Sequence, residues 1–310
     1  LVKNPAHKGK AFINYHDIGD YLSREEKLAI IVKKRSALNP AMNWQQLHPN
    51  AHGDWLNQRN DVFSSFIPLG DKDNKENKQT FFMPFYSNGL KTQRDAWCYN
   101  ASKIKLTEYI KHTITFYNSL VQSKKEKRLL PGISGRDISM TRAFQSDLEK
   151  EREKTFHNDA ICTALYRPFN KTNCYFHPSL NEMVYKMLSI FPENDSHNVV
   201  ICLPGVGSTK EFSVHITNVV RDLDTYGGMQ CFPLYYYEKR STLFDGESNA
   251  QYTRKDGITN FILERCRESY GPKVTKEDIF YYVYGLLHSP DYCKTFAADL
   301  KKMLPRLPLV

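Results

Sequence analysis

The sequence lacks most of the marks by which a protein's chemistry is recognised at a glance. None of its seven cysteines forms a CxxC pair, and their odd number suits reduced, buried thiols better than a disulfide scaffold or zinc ribbon. No apolar run approaches the ~18 to 20 residues that cross a bilayer, and Leu1-Val2-Lys3-Asn4-Pro5 has no signal-peptide pattern. A membrane or secreted protein is thereby set aside. There is no P-loop, no nucleophile elbow and no internal repeat. Acidic charge is in deficit: 34 Asp plus Glu face 43 Lys plus Arg, for a net charge of +9. That is the balance of a surface that meets phosphate backbones, although charge alone does not establish nucleic-acid binding.

What is present describes a folded chain. A hydrophobic share of 41%, with 13% aromatics, can bury enough apolar surface to offset chain entropy, and 310 residues make one large domain or two ordinary ones. The chain opens at Leu1 without a methionine and runs at once into a strand-like pattern, so it is read as a piece of a longer polypeptide.

The periodicities predict an α+β fold: a mixed sheet in the middle of the chain, long helices before it and a helical C-terminal bundle. A strand at 11–15 precedes a helix from Ser23, whose hydroxyl and Glu26 form a capping box, with Leu28, Ile31 and Val32 on its inner face. Trp44 and Trp55 anchor an irregular stretch, and 70–78 is an exposed polar loop. Phe81 to Tyr86 and Arg94 to Tyr99 read as two strands around the Asn88-Gly89 turn, the first at an edge because Pro84 cannot donate to a ladder. A long amphipathic helix from Ile104 to Val121 ends in the basic run 124–128, and a polar helix spans Ser139 to Lys154. Short apolar runs at 161–166, 173–176, 199–203, 212–216 and 230–237 are predicted to share the mixed sheet, with two of Tyr235, Tyr236 and Tyr237 in the core. Helices at 258–270, at 275–288 and from the Ser289 cap and Pro290 complete the chain.

The candidate chemistry is sparse. Gly205-Val206-Gly207-Ser208-Thr209-Lys210 lacks the third glycine of a dinucleotide fingerprint, and reads as a strand-ending turn or as a cradle in which Ser208 and Lys210 hold one nucleic-acid phosphate. Glu25-x-Lys27, Asp73-x-Lys75 and Glu76-x-Lys78 have nuclease spacing but fall on a surface helix and a polar loop, where solvated charges are expected. Pro49, Asn50 and Gly53 forbid the helix that would align His48 and His52 on a metal. Three turns concentrate amide and basic side chains able to bridge base edges: Asn88, Lys91, Thr92, Gln93 and Arg94 in the first, Arg136 in the second, Arg167, Asn170 and Lys171 in the third. Each is equally readable as an ordinary surface turn.

Several longer stretches carry a resemblance. Tyr15-His16-Asp17-Ile18-Gly19-Asp20-Tyr21-Leu22-Ser23-Arg24-Glu25-Glu26-Lys27, Tyr86 to Trp97, Tyr166-Arg167-Pro168-Phe169, Gln230 to Tyr235, Glu277 to Gly285 and Leu287-His288-Ser289-Pro290 together resemble the carboxy-terminal part of Type ISP restriction-modification enzymes. Those enzymes join a nuclease, an ATP-driven translocase, an adenine-N6 methyltransferase and a final target recognition domain in one polypeptide. The methyltransferase's Asn-Pro-Pro-Tyr loop and glycine-rich cofactor motif are absent from these residues. The resemblance therefore implies residues 1–36 as the tail of an upstream methyltransferase domain and 37–310 as a DNA target recognition domain, with a sub-boundary near 125–135. It implies no catalytic or metal-binding residue and no cofactor in this piece, S-adenosylmethionine, ATP and Mg being needs of the parent. Its implied partners are double-stranded DNA and the upstream methyltransferase and translocase domains, in a bacterial cytoplasm near the nucleoid. Two rivals stay open: a divergent methyltransferase or nuclease, and a structural coupler between domains.

Overall fold

A computed structural model describes residues 5–6, 8–9, 11–71, 73–74, 76–130, 132–135, 138–194, 196–240 and 251–309. The chain divides into two compact units, 1–60 and 61–310. The smaller holds strand β1 (Ile13–Tyr15), helix α1 (Arg24–Lys34) and strand β2 (Gln45–Leu47), which pairs antiparallel with β1. The capping box forms as expected: Glu26 N–H donates to the Ser23 hydroxyl (3.2 Å) and Ser23 N–H to the Glu26 carboxylate (2.7 Å). The expected inner face does not, since Leu28, Ile31 and Val32 are all exposed. The two short strands of this unit bury no residue and so offer no apolar face to receive them. Trp44 is the better anchor of the irregular stretch, its Nε1 donating to the Ala37 carbonyl (3.0 Å) and its ring meeting His16 edge-on.

The larger unit begins with β3 (Ile67–Pro68), a short helix α2 (Asp95–Cys98), β4 (Tyr99–Asn100), the long α3 (Lys103–Lys125) and α4 (Arg142–Glu149). Its middle runs through β5 (Ile161–Leu165), β6 (Lys171–Tyr175), α5 (Met187–Ile190), β7 (Val200–Pro204), β8 (His215–Thr217), β9 (Val220–Arg221) and β10 (Met229–Pro233). Then come β11 (Tyr235–Lys239), β12 (Tyr252–Asp256), α6 (Asn260–Tyr270), α7 (Lys276–Leu287), α8 (Pro290–Thr295), α9 (Ala297–Leu300) and β13 (Arg306–Leu307). The α+β class and the helical C-terminal region agree with the sequence. Ser289 accepts from Tyr292 N–H and Pro290 opens α8, while Thr275 and Asp278 form a second capping box on α7.

The strands do not share one sheet. β4-β6-β5-β9 form a four-stranded sheet in which β5 and β9 run parallel; β10-β7-β8 form an antiparallel one; β11 pairs with β12 and β3 with β13. The reason is burial. β7 and β10 are covered on both faces, with Val200, Cys202 and Cys231 in a core shared with α3, and Ile201, Leu203 and Phe232 in a second core with the C-terminal helices. A strand buried on both sides reads as a continuous apolar run, whereas β5 and β6 mix buried with exposed positions. Those two patterns mark two sheets.

Two further expectations are corrected. The hairpin around Asn88-Gly89 does not form: 82–91 makes isolated bridges to Ile258, Cys231, Asp222 and Met183, and Asp95–Cys98 is helical. Phe81 and Phe82 are wholly buried, so distant partners capture the segment before a local strand can pair with it. The rings of Tyr235, Tyr236 and Tyr237 are all half-buried, because β11 belongs to a two-stranded ribbon and not to a core sheet. Tyr236 stacks on Phe85 (4.3 Å) and Tyr237 donates to the His197 carbonyl (3.0 Å). All seven thiols are free, and five are buried.

Candidate nucleic-acid interface

Three turns named from sequence meet at one segment that the sequence did not single out, Arg221 to Gly228. The 87–94 turn reaches it through Leu90, whose N–H donates to the Arg221 carbonyl (2.7 Å) and whose carbonyl accepts from Leu223 N–H (2.9 Å). Gly89 makes this possible, since a Cβ there would lie 2.5 Å from the Asp222 carbonyl oxygen. The 205–210 turn is tied on by Gly205 N–H to Gly228 O (3.0 Å) and by the Ser208 hydroxyl to Tyr226 O (2.8 Å). The turn between β5 and β6 is tied most heavily. Arg221 is 1% exposed, and its guanidinium donates to the carbonyls of Leu165 (3.2 Å) and Arg167 (2.7 Å).

Arg167 then faces two carboxylates. Its guanidinium contacts Asp222 (2.6 Å) and Asp95 (3.2 Å), its own N–H donates to Asp222 (3.0 Å), and its plane lies over the Tyr166 ring. The Tyr166 hydroxyl donates to Asp95 as well (3.0 Å). Burial works against the Arg167 charge, but Asp222, Tyr166 and Asp95 outweigh it and hold the pKa above the usual arginine value. Burial and Asp95 push the Tyr166 phenol up, so both groups keep their protons at neutral pH. The backbone is held out of the ordinary regions here: Arg167 has φ +63° and Phe169 φ +68°, conformations that cost non-glycine residues about 1 kcal/mol or more each. Tyr166 N–H to Asn170 O (2.8 Å) closes the turn.

The predicted residues therefore divide. Asn170, Lys171, Gln93 and Lys210 are exposed, Asn88 and Lys91 half-buried, and Arg167 partly exposed within its ion pairs. Lys91 is fixed by backbone bonds in both directions with Met183 (2.9 and 3.0 Å), which leaves its ammonium for other partners. Ser208 is spent internally, donating to Tyr226 and accepting from Lys210 N–H (3.1 Å).

Thr92 and Arg94 are not on the surface. Thr92 is buried and bonds Asp95. Arg94 is 2% exposed; it donates to the carbonyls of Ser139 (3.1 Å), Leu180 (2.8 Å) and Thr92 (3.2 Å) and to the Thr141 hydroxyl, and it stacks 3.6 Å from the Phe144 ring centre. Burial lowers its pKa, with Cys98 and Glu182 opposing. The Glu182 carboxylate lies 3.9 Å from its guanidinium. Arg136 lies outside the described residues.

Two residues that matter were missed. Arg221 sits beside Val220 in a two-residue strand with no periodicity to announce it, and Phe169 lay inside the named 166–171 turn without being singled out. Phe169 is 89% exposed, and among the described residues its ring has one ring neighbour, His215, in an edge geometry at 5.8 Å. A polar cleft of 590 Å³ shares Lys171 with this turn and is lined by Lys103, His157, His177, Asn194 and Asn218 among others. The His157 and His177 rings stack at 4.2 Å, and burial, then the His157 charge, lowers the His177 pKa. Among the described residues no group of three or more His, Cys, Asp or Glu could hold a metal ion, and no helix is long and apolar enough to cross a membrane.

Such an assembly can present cations and amides from three turns on one rigid base, which is what contact with phosphates and base edges requires. The family model of the Type ISP C-terminal specificity domain matches residues 81–310. Among solved structures, a nuclease-deletion mutant of the Type ISP restriction-modification enzyme LlaGI, in complex with a DNA substrate mimic, is 32% identical at a TM-score of 0.79, covering 96% of this chain and 26% of that one. The ATP-dependent Type ISP enzyme LlaBIII bound to DNA is 30% identical at 0.83, covering 100% and 19%. A DrdV–DNA complex is 29% identical at 0.79, covering 96% and 29%. The chain thus spans between 19% and 29% of the length of these relatives. No curated protein matches it.

Proposed function

This chain belongs to the Type ISP C-terminal specificity domain family, and on that premise we propose that it reads a double-stranded DNA target on behalf of a longer restriction-modification polypeptide. One observation carries the reading: Lys91, Arg167, Lys171 and Lys210 come from three turns anchored on the single segment Arg221 to Gly228. The cations position the domain on phosphates, while Asn88, Gln93 and Asn170 are the amides available to base edges. Arg167 is suited to exchange on its solvent side, because a phosphate can take the place of the partly exposed Asp95 while the buried Asp222 keeps its hold.

In this reading the piece binds and does not turn over. Residues 1–36 are the tail of a preceding methyltransferase domain, and any need for S-adenosylmethionine, ATP or Mg belongs to the methyltransferase and translocase parts of the same bacterial, cytoplasmic polypeptide. The test is the salt dependence of duplex binding. Four phosphate contacts give a log-log slope near −3.6, so affinity should fall about a hundredfold between 50 and 200 mM salt. Affinity indifferent to salt, or no binding to any duplex, overturns the proposal.

A further inference from the structure

We propose that Phe169 is a wedge that enters the DNA at one base-pair step, its ring stacking on a base while Asn170 and Lys171 engage the strand beside it. The inference rests on the DNA-reading function proposed above and assigns a role to a residue that function does not require. Large apolar side chains on a surface are common, but this one is presented by an unusual device. Left-handed backbone at Arg167 and at Phe169 flanks Pro168, whose ring fixes the φ between them. Four tethers hold that geometry: the buried Arg221 on the carbonyls of Leu165 and Arg167, and Asp222 on the backbone N–H and the guanidinium of Arg167. The result is an aromatic ring at 89% exposure on a stiff support, with the His215 ring 5.8 Å away in an edge geometry.

The surroundings select the occupant. A protein-docking ring lies at the centre of an apolar, water-excluding patch. Here the exposed neighbours in the turn are Pro168, Asn170 and Lys171, an amide and a cation of the kind that accompany a ring inserted between bases. A wedge must also resist being pushed back when it unstacks a step, and the tethers supply that resistance.

The experiment uses this chain and a duplex that it selects from a randomised pool, with 2-aminopurine placed at each position in turn. Wild type should raise the fluorescence at one step several-fold, reporting an unstacked base. Phe169→Ala should abolish that rise and bind about tenfold more weakly, the size of a lost base–aromatic stack, while keeping its melting temperature and salt slope. Phe169→Trp should restore both. A rise that survives in Phe169→Ala, or one found at no position, overturns the wedge and leaves the DNA reading intact. Failure to select or bind any duplex overturns the DNA reading itself. Tight, salt-dependent binding with Phe169→Ala equal to wild type assigns the ring to a contact other than DNA.

Discussion

Two turns of the larger unit carry nearly the same kinds of side chain and meet opposite fates. The 87–95 turn offers Asn88, Lys91, Thr92, Gln93 and Arg94; the 166–171 turn offers Arg167, Asn170 and Lys171. In the first, the arginine is drawn inside and satisfied by three carbonyls, a hydroxyl and a phenyl face, with the Glu182 carboxylate no nearer than 3.9 Å. In the second, the arginine stays at the surface and is satisfied by two carboxylates. The difference lies in the acceptors. Carbonyls that hold a guanidinium belong to the fold, and no ligand can replace them. Carboxylates are what a phosphate imitates, so an arginine held on its solvent side by the partly exposed Asp95 can change that partner while Asp222 still holds it.

The largest effect that would sharpen this contrast is at Arg94. Replacing it by Met keeps some of the packing on Phe144 but orphans the carbonyls of Leu180 and Thr92 and leaves that of Ser139 with only the Thr141 N–H, so about 4 kcal/mol of stability should be lost. For a unit of this size that is roughly 10 °C in melting temperature. Wherever the variant is still folded, its preference among DNA sequences should match wild type. A normal melting curve together with relaxed base choice at one position would put Arg94 back on the reading surface and dissolve the contrast.

A smaller loss is expected at Gly89, which lets the first turn close on the hub of the second. A methyl group there would meet the Asp222 carbonyl at 2.5 Å and Leu223 Cα at 2.8 Å, both backbone atoms that cannot swing aside. Gly89→Ala should therefore cost about 2 kcal/mol. It should also weaken DNA binding, because Asp222 is the residue that clamps Arg167. Separate denaturation and binding titrations of the variant check both halves; an unchanged protein would mean that the two turns are not mechanically joined.

Sequence made some of this legible and hid the rest for identifiable reasons. Signals that act within a few residues were readable: the Ser23–Glu26 capping box, Ser289 with Pro290 at the start of α8, and most of the stripe of α3 read from Ile104 to Val121, although Ile104 and Tyr109 are exposed and the buried face begins at Leu106. Of the basic and amide segments, 166–171 was readable as a turn, while the hairpin turn read at Asn88-Gly89 does not form and Arg136 lies outside the described residues. Which side chains of these segments face solvent was not readable, because the acceptors that bury Arg94 lie 45 and 86 residues away at Ser139 and Leu180. The same limit hid the true partners of 82–91, and it hid Arg221, a buried cation whose tie to Leu165 spans 56 residues. The inner face expected of α1 failed differently: Leu28, Ile31 and Val32 keep helical spacing, but among the described residues no surface buries them.

The smallest expected change in stability, and the most informative for the surface, is at Lys171. It opens β6 directly after the exposed Phe169 and Asn170, and its main chain pairs with Leu165 while its side chain remains exposed. Lys171→Ala removes a charge without disturbing a core contact, so stability should stay within about 0.5 kcal/mol of wild type. If the ammonium holds a phosphate, binding to all duplexes should weaken by a similar factor and the salt slope should flatten by about one unit. That outcome differs in kind from the one at Arg94, where stability falls and the slope is kept. A slope unchanged in Lys171→Ala, with base preference altered, would instead make Lys171 a reader of base edges. A variant indistinguishable from wild type in both measurements would remove this turn from the interface and leave Lys91 and Lys210 to carry it.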